Sequence, residues 1–423
     1  MTTDFDVLIV GGGPGGSTAA TCLAQAGLRV ACFERERFPR FHVGESLLPS
    51  NLPIFDRLGV HEAIKKAGFL VKYGATFVDE QEGHAHTFYF AKDKPWPCFG
   101  YQVVRSEFDA ILLRLAAAEG VMVFEETSVE TASIRREGVT ITVHSSTGER
   151  RQVTGAFLVD ASGRDAFLAG ALGRRERIPN LGKVALYAHF AGAQRFAGIE
   201  EGNIRIYVFE DGWFWWIPFA GDVTSVGCVL HARAVRGREG SIGALFDAMI
   251  ARCRHVAEGL ERARRVSPVY RSANFSYRVW PVVGDRSLSV GDAVAFVDPI
   301  FSAGVFIAMQ SGELAARAIS EAFRDGTFSA RRFRRYARQY ERGVAPFFTF
   351  IKKYYQPAFL DIFLRPNRRL GMVDAVTTVL AGGAFLSRPL GLRARLALVF
   401  TVARVNAWIR RWQGRPVQSR LEW

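Results

Sequence analysis

Asp6-Val7-Leu8-Ile9-Val10-Gly11-Gly12-Gly13-Pro14-Gly15-Gly16 is a short apolar run that ends abruptly in glycines. An apolar run of this length before a turn reads as a buried strand. Ser17 to Ala26 is rich in alanine and reads as a helix stopped by Gly27, and Arg29 to Phe33 is a second apolar strand that ends at Glu34. Strand, glycine turn, helix, strand and acid, in that order, form a βαβ nucleotide-binding unit. In Gly11-x-Gly13-x-x-Gly16 the first glycine permits the tight turn and the second lets backbone approach a pyrophosphate. The third allows helix and strand to pack closely, and the free N–H groups of the helix N-terminus face the phosphates. Glu34 is placed to accept both hydroxyls of a ribose, so an adenosine with a free 2′-OH is expected.

Beyond this unit, helical stretches (106–119, 242–254, 305–324) alternate with strands (121–124, 139–144, 157–159, 287–290). Aromatic-rich strands cluster at 70–101 and 184–230 and predict a second, mostly antiparallel sheet. From about 331 the pattern is helical. The 423 residues, 49% hydrophobic and 23% charged, suit a globular enzyme and exclude a disordered chain. Five scattered cysteines with no CxxC pair read as reduced thiols. With a strand beginning at once after MTTDF, no signal peptide is expected and the cytoplasm is the expected location. His84-x-His86 lacks nearby partners to complete a metal shell, so no metal is expected.

The net charge of +14 is concentrated near the end, where Arg388, Arg393, Arg395, Arg404, Arg410, Arg411, Arg415 and Arg420 face only Glu422. No basic–aromatic pattern of a nucleic-acid module accompanies it, so nucleic acid is not an expected partner. The stretches 372–386 and 394–409 are too short or too charged to span a bilayer. They are expected to pack on their own protein, with peripheral contact to a membrane surface as the alternative.

After the βαβ unit come Arg40-Phe41-His42-Val43-Gly44-Glu45-Ser46, then Arg105, then Val159-Asp160-Ala161-Ser162-Gly163, then Gly291-Asp292-Ala293. This ordered series resembles the flavin-dependent hydroxylases and halogenases, which use a glutathione-reductase-like FAD-binding fold. The resemblance implies an α/β FAD-binding domain in three parts (1–69, 101–180, 276–330), a mostly antiparallel substrate domain in two (70–100, 181–275) and a helical C-terminal region (331–423). It implies FAD contacts from Gly11, Gly13, Gly16, Glu34, Arg40, Ser46, Arg105, Asp160, Asp292 and Gly304. The helix starting near Gly304 would aim its positive end at the flavin ring, where it favours the negative charge of the reduced form.

Three further segments narrow the likeness: Val43–Pro49, Gly68–Phe77, and Trp213-Phe214-Trp215-Trp216-Ile217-Pro218, which satisfies W-x-W-x-I-P. With Asp298-Pro299-Ile300-Phe301-Ser302-Ala303-Gly304, they make the chain similar to flavin-dependent halogenases acting on phenolic, pyrrolic or carrier-bound substrates. The likeness covers about residues 4–325. In such enzymes reduced FAD, oxygen and chloride or bromide yield hypohalous acid, which a lysine holds or carries to the substrate. Lys72 matches that lysine, on a strand where Leu70, Lys72, Gly74 and Thr76 would share one face. The resemblance gives the halide to the backbone at Ser302, Ala303 and Gly304. It gives the separation of flavin from substrate to Trp213, Trp215 and Ile217. A separate flavin reductase is the implied source of reduced FAD. The competing reading is an FAD-dependent dehydrogenase or monooxygenase, or a geranylgeranyl-reductase-like enzyme.

Overall fold

The computed structural model describes residues 3–90, 97–178, 182–235, 240–273, 275–366, 371–386 and 390–414. The opening apolar run is β1 (Phe5–Val10), with Val7, Leu8 and Ile9 fully buried, as a strand covered on both faces requires. α1 (Pro14–Gln25) begins at a proline, whose missing N–H costs nothing in a first turn. β2 (Val30–Phe33) then returns parallel to β1, pairing Val7 with Val30 and Val10 with Phe33.

The chain next leaves this sheet for β3 (Leu70–Lys72) and β4 (Gly74–Asp79), and comes back through β5 (Gly100–Gln102) and α2 (Arg105–Ala118). The single strand expected over 70–77 is in fact two strands. Among the described residues β3 pairs only with β5, in a two-stranded ribbon, whereas β4 joins the large second sheet. Between them the Tyr73 N–H donates to Asn203 Oδ1 at 3.0 Å, a side chain supplied from far along the sequence. That bond holds the amide out of either ladder and lets the chain cross.

β6 (Arg150–Asp160) lies on the other side of β1, parallel, with Val10 opposite Asp160. β7 (Lys183–Ala191), β8 (Ile204–Phe209), β9 (Gly212–Pro218) and β10 (Val223–His231) build the second sheet in the order β7-β10-β9-β8-β4. All its long pairings are antiparallel except β8 with β4. The expectation of a mostly antiparallel second sheet beside an α/β nucleotide-binding sheet is therefore met. β11 (Ser287–Ser289) completes the parallel sheet next to β6.

α3 (Gly304–Asp325) packs directly on α1. A Cβ at Gly312 would meet the Gly15 carbonyl oxygen at 2.5 Å, so only glycine lets the two helices come this close. The C-terminal region is helical, with α4 (Arg334–Tyr354), α5 (Pro357–Leu364), α6 (Met372–Leu380) and α7 (Leu390–Trp412). One hydrophobic core lies between α1, α3, α4 and the parallel sheet. A larger one joins the inner face of the second sheet to the C-terminal helices. No described helix is long and apolar enough to cross a membrane. Arg388, Arg415 and Arg420 of the basic terminal segment lie outside the described residues. All five cysteines are unpaired, and Cys32, Cys228 and Cys253 are buried.

Candidate active site

A cavity of about 870 Å³ opens at the C-terminal ends of the parallel strands, where α/β folds of this kind hold their ligands. Its wall runs from Gly11, Gly13 and Glu34 past Arg40 and Arg105 to Asp292, Ser302–Val305 and the inner face of β9. At the glycine end, a Cβ on Gly11 would strike the Ala161 carbonyl, and one on Gly16 would strike the Gly11 carbonyl. Gly11 also holds φ +101°, in the left-handed region. Gly13 differs: an added Cβ there meets only an Arg40 guanidinium nitrogen, at 3.7 Å, and otherwise points into open cavity. Glu34 Oε2 accepts the Gly12 N–H at 2.8 Å and Oε1 accepts that of Glu36 at 3.0 Å, which fixes the carboxylate at the mouth.

Arg40 and Arg105 share one carboxylate, Asp109, which is fully buried on α2. Arg105 is bidentate, with bonds of 2.8 and 2.9 Å, and also donates to the Val43 and Gly44 carbonyls. Burial alone would raise the Asp109 pKa, but Arg105 and Arg40 override it and hold the carboxyl below its usual range. The two cations are thus rigid and face a cavity wide enough for a pyrophosphate. Asp109 was not singled out from the sequence, although its place four residues after Arg105 on one helix is a recognisable pairing signal. Burial lifts the pKa of Asp292, on the same wall, to about 6 against the opposing pull of Arg105 and Arg164.

Asp160 stands differently from the expectation. Its carboxylate turns away from the cavity, accepting Ser162 N–H at 3.0 Å, Ser162 Oγ at 2.6 Å and Leu168 N–H at 2.7 Å. It shapes the turn whose Ala161 and Ser162 form the wall. Ser302, Ala303 and Gly304 all border the cavity, but the Ser302 N–H already donates to the Pro299 carbonyl at 2.9 Å. Only the amides of Ala303 and Gly304 follow it into the first turn of α3.

On β9 the side chains alternate as the strand pattern requires. Trp213, Trp215 and Ile217 line the cavity, while Phe214 and Trp216 pack into a separate core behind the sheet. Trp215 lies over Gly227 of β10, where any Cβ would run into the indole. Lys72 is 1% exposed and does not itself form the wall. Its Nζ donates to Ser46 Oγ at 2.9 Å, and Ser46 does line the cavity. The ammonium also sits 5.4 Å from the Phe90 ring centroid. Burial pushes the Lys72 pKa down to about 7, so near neutral pH a large share of this amine is uncharged.

A second buried lysine was missed. Lys183 Nζ donates to Asp298 Oδ2 at 3.0 Å, the Tyr355 hydroxyl donates to the same oxygen at 2.9 Å, and Trp213 Nε1 donates to that hydroxyl at 2.9 Å. Burial lowers the Lys183 pKa to about 8, with Asp298 opposing. The network ties β7, the end of α4 and the Ser302 loop to the indole on β9. Glu45, also on the wall, bonds His189 Nε2 at 2.8 Å through Oε1, while its buried Oε2 has no partner among the described residues.

The family model for tryptophan halogenase matches residues 6–98 and 95–359. A 1H-pyrrole-2-carbonyl-[peptidyl-carrier protein] chlorinase from Pseudomonas fluorescens is 33% identical over 380 residues, 84% of each chain. The chain belongs to the flavin-dependent halogenase family. Among solved structures, the myxobacterial chondrochloren halogenase CndH is 36% identical, with a TM-score of 0.80 over 83% of this chain and 82% of that one. A flavoprotein/dehydrogenase from Cytophaga hutchinsonii is 27% identical, with a TM-score of 0.87 over 95% and 98%. The halogenase is therefore an FAD-dependent oxidoreductase, and its wall fits that cofactor: two anchored arginines and the open face of Gly13 suit a pyrophosphate, and Glu34 suits a ribose.

Proposed function

We propose that this halogenase chlorinates or brominates an electron-rich aromatic ring, pyrrolic or phenolic, presented free or on a carrier protein. We further propose that a separate flavin reductase supplies its FAD in reduced form and that the reaction takes place in the cytoplasm. The observation that carries the reading is Lys72: a fully buried amine, bonded to the cavity-wall residue Ser46, with a pKa near 7. Bound reduced FAD, with oxygen, supplies the oxidising equivalents that turn halide into hypohalous acid.

The chain's own groups do the rest. Gly11, Gly13, Glu34, Arg40, Arg105 and Asp292 hold the cofactor, Gly16 lets α1 pack close against the Gly11 turn, and the amides of Ala303 and Gly304 hold the halide at the start of α3. Trp213, Trp215 and Ile217 fill the space beside the flavin, keeping water and the substrate ring away from it. Neutral Lys72 takes the halogen from hypohalous acid: an N–halogen bond forms, the O–halogen bond breaks, and water leaves. The aromatic ring then attacks that halogen, the bonding pair returns to nitrogen, and the ring loses a proton to restore aromaticity. Ser46, which lines the cavity and accepts the Lys72 N–H, links the amine to it. The pyrrole-carrier chlorinase from Pseudomonas fluorescens and the corresponding brominase from Pseudoalteromonas luteoviolacea, 34% identical, support the substrate class. The single Gly-x-Gly-x-x-Gly, here assigned to FAD, supports an external reductase.

The likeness to the Cytophaga hutchinsonii protein favours a second reading, a dehydrogenase in which substrate meets the flavin directly. Mass spectrometry of products formed with chloride or with bromide in the medium separates the two. The halogenase reading expects a halide-specific isotope pattern; a product identical with and without halide supports the dehydrogenase.

A further inference from the structure

The last described helix has two apolar faces. At 100° per residue, Leu396, Val399, Phe400 and Ala403 of α7 share one side and pack into the main core against α5 and α6. Leu398, Val405, Trp408, Ile409 and Trp412 share the opposite side and are exposed. Trp408 is 69% exposed, Val405 52% and Trp412 82%, which is abnormal for a face that water alone covers. An ordinary surface helix is polar opposite its core stripe. Here the charged positions lie on the flanks: Arg404 and Arg411, seven residues apart and exposed, edge the apolar stripe on one side, and Arg395, ion-paired with Asp374 at 3.6 Å, edges it on the other, while Thr401, which accepts a bond from Arg404, interrupts the stripe. Arg410 and Asn406 turn inward to Asp361 and fix the helix on α5.

We infer that this outer face of α7 is a docking surface for an anionic membrane, on which the helix lies parallel to the surface. The chemistry matches that partner on each count. Indoles prefer the membrane–water interface, where ring and N–H are both satisfied. Arginines at the edges of an apolar stripe keep their guanidinium groups among the headgroups while their stems stay in the apolar layer. The sign of the charge selects acidic lipid, and the helix does not cross the bilayer. An acidic carrier protein would meet the arginines, whereas paired indoles beside arginines at the edge of an apolar helical stripe are the pattern of a membrane surface. The inference is independent of the halogenation chemistry.

The test is flotation of the full chain with vesicles of phosphatidylcholine alone and of phosphatidylcholine with phosphatidylglycerol, at low ionic strength. The wild type is expected to float with the acidic vesicles and to show blue-shifted tryptophan emission. Arg404→Gln and Arg411→Gln should each lower this partition roughly fivefold, and Trp408→Ala/Trp412→Ala should abolish it while FAD binding stays intact. Raising the salt should release the wild type, because exposed charges are screened within about 8 Å at physiological ionic strength. Failure of folded, FAD-loaded protein to bind acidic vesicles overturns the inference. So does a dimer in solution that the double tryptophan variant disperses, or binding to an acidic carrier protein that competes for the same tryptophans in the absence of lipid affinity.

Discussion

At the scale of single residues, the site turns on the protonation of one amine. Lys72 has its pKa lowered to about 7 by burial, and only its neutral form has the lone pair that accepts a halogen. Product formation should therefore rise as pH increases through about 7, whereas any pH dependence of FAD affinity should follow Asp292, near 6. A pH-independent product rate would remove the amine from the mechanism. Lys72→Ala should still bind FAD and consume oxygen, yet lose product by about a hundredfold or more. Lys72→Arg should fail equally, since a guanidinium stays protonated. Stopped-flow reoxidation beside mass spectrometry of the product reads both halves. The lysine was legible from its surrounding motif. Its placement behind Ser46 was not, because the chain crosses between sheets at Tyr73 through a bond to Asn203, 130 residues away.

Among the strands and helices, the alternation of Trp213, Trp215 and Ile217 was readable because a strand repeats every two residues. The space beneath them was not, since it depends on which strand lies next door. Gly227 of β10 is that neighbour, and Gly227→Ala should push the Trp215 indole off its position at a stability cost of about 1–3 kcal/mol. Halogenated product should fall and unproductive peroxide release should grow, as flavin and substrate spaces merge; an unchanged ratio of product to peroxide would contradict the separating role of this strand. The Lys183–Asp298–Tyr355–Trp213 network was equally invisible, because 115 residues separate its charged pair. Asp298→Asn leaves a buried lysine without its counter-charge, which typically costs about 3–5 kcal/mol. Lys183 is already depressed to about 8 by burial, so the loss should be largest at and below neutral pH and shrink in alkaline solution as the amine discharges. Denaturant melts at two pH values check the sign.

For the molecule as a whole, the glycine motif predicted the nucleotide sheet from its order alone, whereas the C-terminal helices carried too little pattern to foretell which of their faces would meet solvent. The cavity is walled by both sheets and by α4, so a bound cofactor braces all three. FAD at a hundred times its Kd should add about 2.7 kcal/mol to unfolding. Gly13→Val should lose that increment while its apo transition stays near that of the wild type, because the new side chain projects into empty cavity. An undiminished FAD shift in the variant would refute the pyrophosphate placement. A catalyst that generates an oxidised halogen must also outlive it, and thiolates are the first protein groups such reagents attack. Burial pushes the Cys22 thiol up to about 12 and drives those of Cys32, Cys228 and Cys253 higher still. At neutral pH these four sulfurs are therefore protonated, and Cys32, Cys228 and Cys253 are also buried, whereas Cys22 and Cys98 are half-buried. The interior thus doubles as armour: damage accumulated over many turnovers should register at the half-buried thiols before it reaches the buried Cys32, Cys228 and Cys253.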